Sequence, residues 1–217
     1  MDWYQWHHKY QRSPELQARL GFVKDQIVAF INQSPPGTIR ILSICAGDGR
    51  DLIGSLIEHP RLKDVQAYLI ELDENLVVAG RQVVEEENLS QQIQFIQGDA
   101  TLRKTYQEIA PANLVLICGV FAHVPEASDL IRNLPYFCEF QGWVIWTRFC
   151  GDQENIEKVD KIHRLFEEIN FENISAIITP NGRFTVATHH YLGQPSPLPD
   201  RQKLFELSDF SDLSISG

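Results

Sequence analysis

From Pro14 onward the apolar positions recur at helical spacing. Leu16, Leu20, Val23, Ile27, Phe30 and Ile31 fall between a Ser13-Pro14-Glu15 helix start and a Ser34-Pro35-Pro36-Gly37 breaker. The pattern then shortens. Ile39 to Cys45 is a continuous apolar run of strand length, and Ala46-Gly47-Asp48-Gly49 is a glycine turn leading into a helix from Arg50 to Glu58. This unit repeats four times. Strands are expected over Val65–Leu72, Ile93–Gln97, Leu114–Gly119 and Trp143–Phe149. Helices are expected over Asn75–Glu87, Leu102–Ile109 (a weaker pattern), Ser128–Phe137 and Asn155–Ile169. In the last of these Ile156, Val159, Ile162, Leu165, Phe166 and Ile169 should face inward.

Strands alternating with helices predict an α/β fold, a doubly wound Rossmann-like sheet with five parallel strands and helices on both faces, because parallel neighbours need crossover connections. The alternation ends with Ile174–Thr179 and Phe184–His189, two strand runs joined by Pro180-Asn181-Gly182-Arg183. Asn-Gly is a strong hairpin signal, since both central residues of a type I′ turn need positive φ. A C-terminal antiparallel hairpin therefore completes seven strands. No linker interrupts these units, so one domain is expected over residues 1–217, with an N-terminal segment and helix over 1–37, a core over 38–190 and a tail over 191–217. From Gly193 the tail is rich in Pro and Ser and should be extended and partly mobile.

Composition changes this picture little. The chain has 217 residues, 43% hydrophobic and 22% charged, which is ordinary for a globular protein and argues against disorder. No apolar run approaches the roughly 20 residues of a membrane-spanning helix. The N-terminus lacks the apolar stretch of a signal peptide, so a cytoplasmic location and no membrane association are expected. A net charge of −10 and the absence of a Lys/Arg cluster argue against nucleic acid as partner and favour a small-molecule one. Cys45, Cys118, Cys138 and Cys150 have no CxxC spacing, so neither a zinc site nor a disulfide framework is expected. Cys138 and Cys150 read as packing residues.

The candidate chemistry lies at the carboxyl ends of the strands, where open α/β sheets bind ligands. After the first strand, Ala46, Gly47, Asp48 and Gly49 allow a ligand to approach the backbone at a helix N-terminus. After the second, Glu71 lies about 20 residues past that turn, the position of a carboxylate that accepts from the hydroxyls of an adenosine ribose, with Leu72 beside it. After the third come Gly98, Asp99 and Ala100, with Asp99 suited to accept from an adenine amino group. After the fourth, Cys118, Gly119 and Val120 make a narrow wall for a flat ring. Each feature alone is a common turn or cap, and Asp73 reads as a helix cap. Their succession at four consecutive strand ends points to an adenosine-containing ligand.

With these residues the sequence resembles the class I S-adenosylmethionine-dependent methyltransferases. Ile41 through Gly49 resembles the first motif of that family, Tyr68 through Asp73 the second, Phe95 through Ala100 the third and Leu114 through Val120 the fourth. The terminal hairpin resembles its antiparallel seventh strand. Ser43 through Leu52, Cys118 through Phe121 and Val144 through Arg148 are similar to a bacterial subgroup of such proteins. Two positions depart from the family pattern. Ser43 stands where an acidic residue is usual and Cys45 where the first glycine is usual, so another group must order the glycine loop.

The resemblance implies S-adenosyl-L-methionine as cofactor and in-line transfer of its methyl group to a nucleophile. If the acceptor is a hydroxyl or ammonium, a general base is also needed. His123, just past the fourth strand, and His7 are the candidates; of His189 and His190, which alternate along a strand, at most one faces inward. Trp3, Tyr4, Trp6, His7, His8 and Tyr10 form an aromatic segment, either a lid over the donor or a cover for core edges. Arg19 or Arg50 is a candidate partner for the donor's carboxylate. Three alternatives compete: a non-catalytic adenosine-ligand module on the same fold, an aminopropyltransferase, and a nicotinamide-dependent oxidoreductase. The last would want glycine where Leu52 stands.

Overall fold

The computed structural model describes residues 13–208. The aromatic segment with His7, and residues 209–217, lie outside the described residues. The chain opens on helix α1 (Pro14–Gln33), whose N-cap Ser13 accepts from the Leu16 amide. There follow β1 (Ile39–Ile44), α2 (Arg50–Leu56), β2 (Val65–Glu71), α3 (Glu74–Glu86), β3 (Ile93–Gln97) and β4 (Ala112–Cys118). Two short helices come next, α4 (Ala127–Ile131) and α5 (Leu134–Phe137), then β5 (Cys138–Phe149), α6 (Gln153–Glu167), β6 (Phe171–Ile178) and β7 (Phe184–Tyr191).

The seven strands form one sheet in the order β3-β2-β1-β4-β5-β7-β6. Pairing is parallel from β3 through β5, and β7 runs antiparallel to both β5 and β6. The continuous apolar runs follow from burial on both faces. Ile41, Leu114, Leu116 and Ile145 pack with α1, α2 and α3, whereas Leu42, Ile44, Val115, Ile117 and Trp146 pack with α4, α5 and α6. The strand order reverses between β1 and β4, which opens a crevice at their carboxyl ends. Among the described residues no helix is long and apolar enough to cross a membrane.

Four local expectations are corrected. The helix expected over Leu102–Ile109 is only a 3-10 turn at Arg103–Tyr106. Its backbone is engaged elsewhere: Arg103 N–H donates to the Gln202 carbonyl and Leu204 N–H to the Thr101 carbonyl, at 2.8 Å each. The helix expected over Ser128–Phe137 breaks into α4 and α5, with Pro135 in the first turn of the second piece, where its missing N–H is harmless. In α6, Val159, Ile162 and Phe166 are buried as expected, but Ile156 is 43% exposed. The β6–β7 turn is not type I′. Of the Asn-Gly pair only Gly182 has positive φ, and the Asn181 side chain accepts from Thr179 Oγ1 and Arg183 N.

The tail also differs from expectation. It is extended, but through residue 208 it is anchored, because it has apolar anchors the sequence pattern hides. Leu204 and Phe205 are each 3% exposed, and Ser208 N–H donates to the His123 carbonyl. This strap crosses the 3-10 turn and ends beside the crevice.

On the α6 face, Trp146 is fully buried and stacks on Phe166. Its indole N–H donates to His189 Nδ1 at 3.0 Å, and His189 Nε2 lies 3.2 Å from His163 Nδ1. Of the neighbouring pair, His189 faces inward and is buried, and His190 is half-exposed. Because the indole can only donate, Nδ1 of His189 is the acceptor and its proton sits on Nε2.

Candidate functional site

The loop after β1 turns sharply because three of its residues take left-handed backbone: Cys45 (φ 53°), Gly47 (φ 61°) and Gly49 (φ 71°). Gly49 also has no room for a side chain, since a Cβ there would lie 2.5 Å from Leu69 and 2.9 Å from Phe95. Cys45 occupies the same backbone region without glycine's freedom, at a typical cost of about 1–2 kcal/mol. Glu71 ties the loop down. Its Oε2 accepts from Gly47 N–H at 2.8 Å, and its Oε1 from the amides of Leu72 and Asp73 at 2.9 Å each. The ordering carboxylate absent at Ser43 is thus supplied from the neighbouring strand. Asp73 caps α3, accepting from Asn75 and Leu76 amides.

These loops surround a cavity of about 430 Å³, within the range of small-molecule sites. Every expected donor-binding residue lines it except Gly49, which is spent on the turn into α2. Asp99 Oδ1 is taken by the amide and hydroxyl of Thr101, and Oδ2 faces no donor among the described residues. Gly119 has φ 83°, and its amide donates to Thr147 Oγ1, which holds the β4 loop to β5. His123 lines the same cavity. Burial, and then the nearby Arg148 charge, lower its pKa, so the imidazole is neutral at pH 7 and able to accept a proton.

Both arginines expected near the donor's carboxylate, Arg19 and Arg50, line the cavity. The structure adds Asp51, in the first turn of α2, which strand-end reading missed; it and Arg19, on α1, face each other's charge. Burial pushes the Asp51 carboxyl up and the Arg19 guanidinium down, and each charge offsets part of the other's cost. The Cys118 thiol donates to Asp51 and is held protonated, chiefly by burial; burial also keeps Cys45 a neutral thiol. Arg19 lies over the Phe184 ring, 5.3 Å from its centroid. Arg148 and Phe149 also line the cavity, Phe149 edge-on to Phe184. They end the fifth strand, where the same rule would have found them. Phe184 begins an antiparallel strand, so it reaches this edge by its amino end. Leu207 is delivered by the strap, with no local sequence signal.

Among the described residues no group of three or more His, Cys, Asp or Glu side chains is placed to hold a metal ion. A family model described as "Putative methyltransferase" matches residues 6–148. The fold is similar to magnesium protoporphyrin IX methyltransferase of Synechocystis PCC 6803, solved with bound SAM, with a TM-score of 0.63, 16% identity and 81% of each chain covered. It is also similar to an O-methyltransferase family protein of Burkholderia thailandensis (TM-score 0.62, 13% identity, 81% of this chain and 55% of that one). The [4+2]-cyclase SpnF shares the fold as well (TM-score 0.60, 10% identity, 81% of each chain). In sequence, 97 residues are 26% identical to the "Uncharacterized protein YnbC" of Escherichia coli strain K12, covering 44% of this chain but only 16% of that relative.

Proposed function

Because the chain belongs to this family of methyltransferases, we propose that it transfers a methyl group from S-adenosylmethionine to a small-molecule acceptor over the carboxyl ends of β1, β4 and β5. The single observation that carries this reading is the cavity wall. A carboxylate (Glu71), a second carboxylate with an unengaged oxygen (Asp99) and a glycine-narrowed loop (Gly119) converge on one space.

These residues fit an adenosine-bearing donor. Glu71 Oε1 is filled by two amides, but Oε2 carries one bond and keeps a lone pair for a ribose hydroxyl. Asp99 Oδ2 accepts from the adenine amino group, and the walls formed by Ala100, Cys118 and Val120 enclose the ring. Arg19 pairs with the donor's carboxylate and Asp51 with its ammonium, which lowers the cost of burying both. When bound, the donor supplies an electrophilic methyl group on its sulfonium. The protein's own contribution is to hold the acceptor in line, exclude water and, for a protic acceptor, receive a proton on neutral His123. The four free cysteines suit a reducing cytoplasm.

The test is thermal melting and titration with S-adenosylmethionine, S-adenosylhomocysteine and NAD. Both sulfur ligands are expected to raise the melting temperature and NAD to leave it unchanged, since only ligands that bind the folded state stabilise it. Arg19→Gln should weaken S-adenosylhomocysteine several-fold while adenosine, which has no carboxylate, binds as before. Binding of NAD and neither sulfur ligand would overturn the assignment.

A further inference from the structure

Once the donor's partners are set aside, the cavity retains, among the described residues, one cation with no matching carboxylate. Three arginines line it: Arg19, Arg50 and Arg148. Arg50 is bound by Asp48 through Nε at 2.8 and 3.1 Å, and Arg19 shares the charge of Asp51. Arg148 forms no ion pair within 4.0 Å among the described residues. Its one hydrogen bond there is to a neutral acceptor, the Phe121 carbonyl. Its Nε is buried and has no acceptor among the described residues, while the residue lines the cavity. The negative charge that raises its pKa, against the lowering by burial, is that of Glu154 on α6, which forms no ion pair with it within 4.0 Å.

A guanidinium taken partly out of water, with one N–H unsatisfied, costs free energy until an anion reaches it. The chain carries 29 acidic residues against 19 basic ones, yet none of the described carboxylates is placed within ion-pair distance of Arg148. The planar fork of arginine matches the two oxygens of a carboxylate or the oxygens of a phosphate. Beside Arg148 stands the ring of Phe149, edge-on to that of Phe184 with 5.7 Å between centroids, so the two rings form one aromatic wall of the cavity next to Arg148.

Resting on the methyltransferase reading, we propose that the methyl acceptor carries an anionic oxygen group, carboxylate or phosphate, that docks on Arg148, with an apolar body against Phe149 and Phe184. Arg148 is then the residue that selects the acceptor. The same charge sits near His123 and favours its neutral form, the form that receives a proton from the acceptor. An anion on Arg148 also offsets the net positive charge of the donor in a confined space.

The experiment is titration of three probes into protein saturated with S-adenosylhomocysteine and, separately, into protein without it. Benzoate and phenyl phosphate carry the two anionic groups, and benzyl alcohol is a neutral analogue of similar size. At least one anion is expected to bind at least tenfold more tightly than benzyl alcohol, and which anion binds distinguishes carboxylate from phosphate. Arg148→Gln should abolish that tenfold preference and leave the affinity for S-adenosylhomocysteine within twofold. Arg148→Lys keeps the charge but loses the fork, so it should retain part of the preference; it serves as the second variant if the glutamine form does not fold. Equal binding of all three probes, no binding of either anion, or an anion preference that survives Arg148→Gln would overturn the proposal. Failure of S-adenosylhomocysteine to bind, with the Arg148-dependent anion preference intact in its absence, would instead sink the donor assignment alone.

Discussion

Glu71→Ala is expected to weaken S-adenosylhomocysteine binding by about 100-fold or more. Hydrogen bonds to a charged acceptor contribute about 1.5–3 kcal/mol each, and about 1.4 kcal/mol is tenfold in affinity. Removing the carboxylate deletes the ribose acceptor. It also releases the amides of Gly47, Leu72 and Asp73, so the glycine loop loses its tie to β2. The loss should therefore exceed what one ribose contact contributes, and the apo protein should melt at a lower temperature. Glu71→Gln should fall between the two, because its carbonyl oxygen can serve one side while its amino group meets donors on the other. Asp73→Ala is the control. It removes the cap of α3, costing about 1 kcal/mol of stability, with donor affinity unchanged. Calorimetric titration with denaturation of the same variants separates these effects. An alanine variant at position 71 that binds within threefold of the parent would show that the carboxylate does neither job.

The second large effect is a loss of stability in mild acid. Burial, and then the neighbouring His163, hold the pKa of His189 down to about 3, against ~6.5 for an unfolded histidine. The unfolded chain therefore takes up the proton first. The contribution of this site is complete above pH ~6.5 and is lost as the pH falls toward about 3, at roughly 1.4 kcal/mol per pH unit. From pH 6.5 to 5 this amounts to about 2 kcal/mol, with smaller contributions of the same sign from His163 and His123, whose pKa values burial also lowers. Urea denaturation at pH 7 and 5 measures it. In His189→Gln, which keeps an oxygen for the Trp146 indole, the pH dependence should drop by about one proton. A stability that is equal at the two pH values would refute the account.

The parts of this molecule most legible in its sequence are those set by local periodicity. Runs such as Leu114–Cys118 announce strands buried on both faces, and the glycine turn, Glu71 and Asp99 mark strand ends at which the sheet places them on one cavity. Elements held by distant partners were less legible. Arg103 and Thr101 give their backbone groups to residues about a hundred positions further on, so a helix pattern there yields to a 3-10 turn. The tail looked free because Pro and Ser dominate it, yet Leu204 and Phe205 suffice to bury it. Asp51 was hidden for a different reason: an acidic residue in the first turn of a helix reads as an ordinary response to the helix dipole. Only the arrival of Arg19 from another helix makes it part of a charged pair.

The strap's mode of attachment bears on how the protein can diverge. Main-chain groups of Arg103, Thr101 and His123 hold it, with Leu204 and Phe205 as its apolar anchors, while Leu207 is the one of its described residues that lines the cavity. Backbone hydrogen bonds do not depend on which side chain a residue carries. Substitutions at position 207 therefore leave these bonds and the donor cradle on β1 and β2 in place, and give up only the partial packing of Leu207 on the core. Selection for a new acceptor has a site where it can act at a small cost to folding, and a saturation library at Leu207 is the corresponding starting point for changing acceptor scope by design.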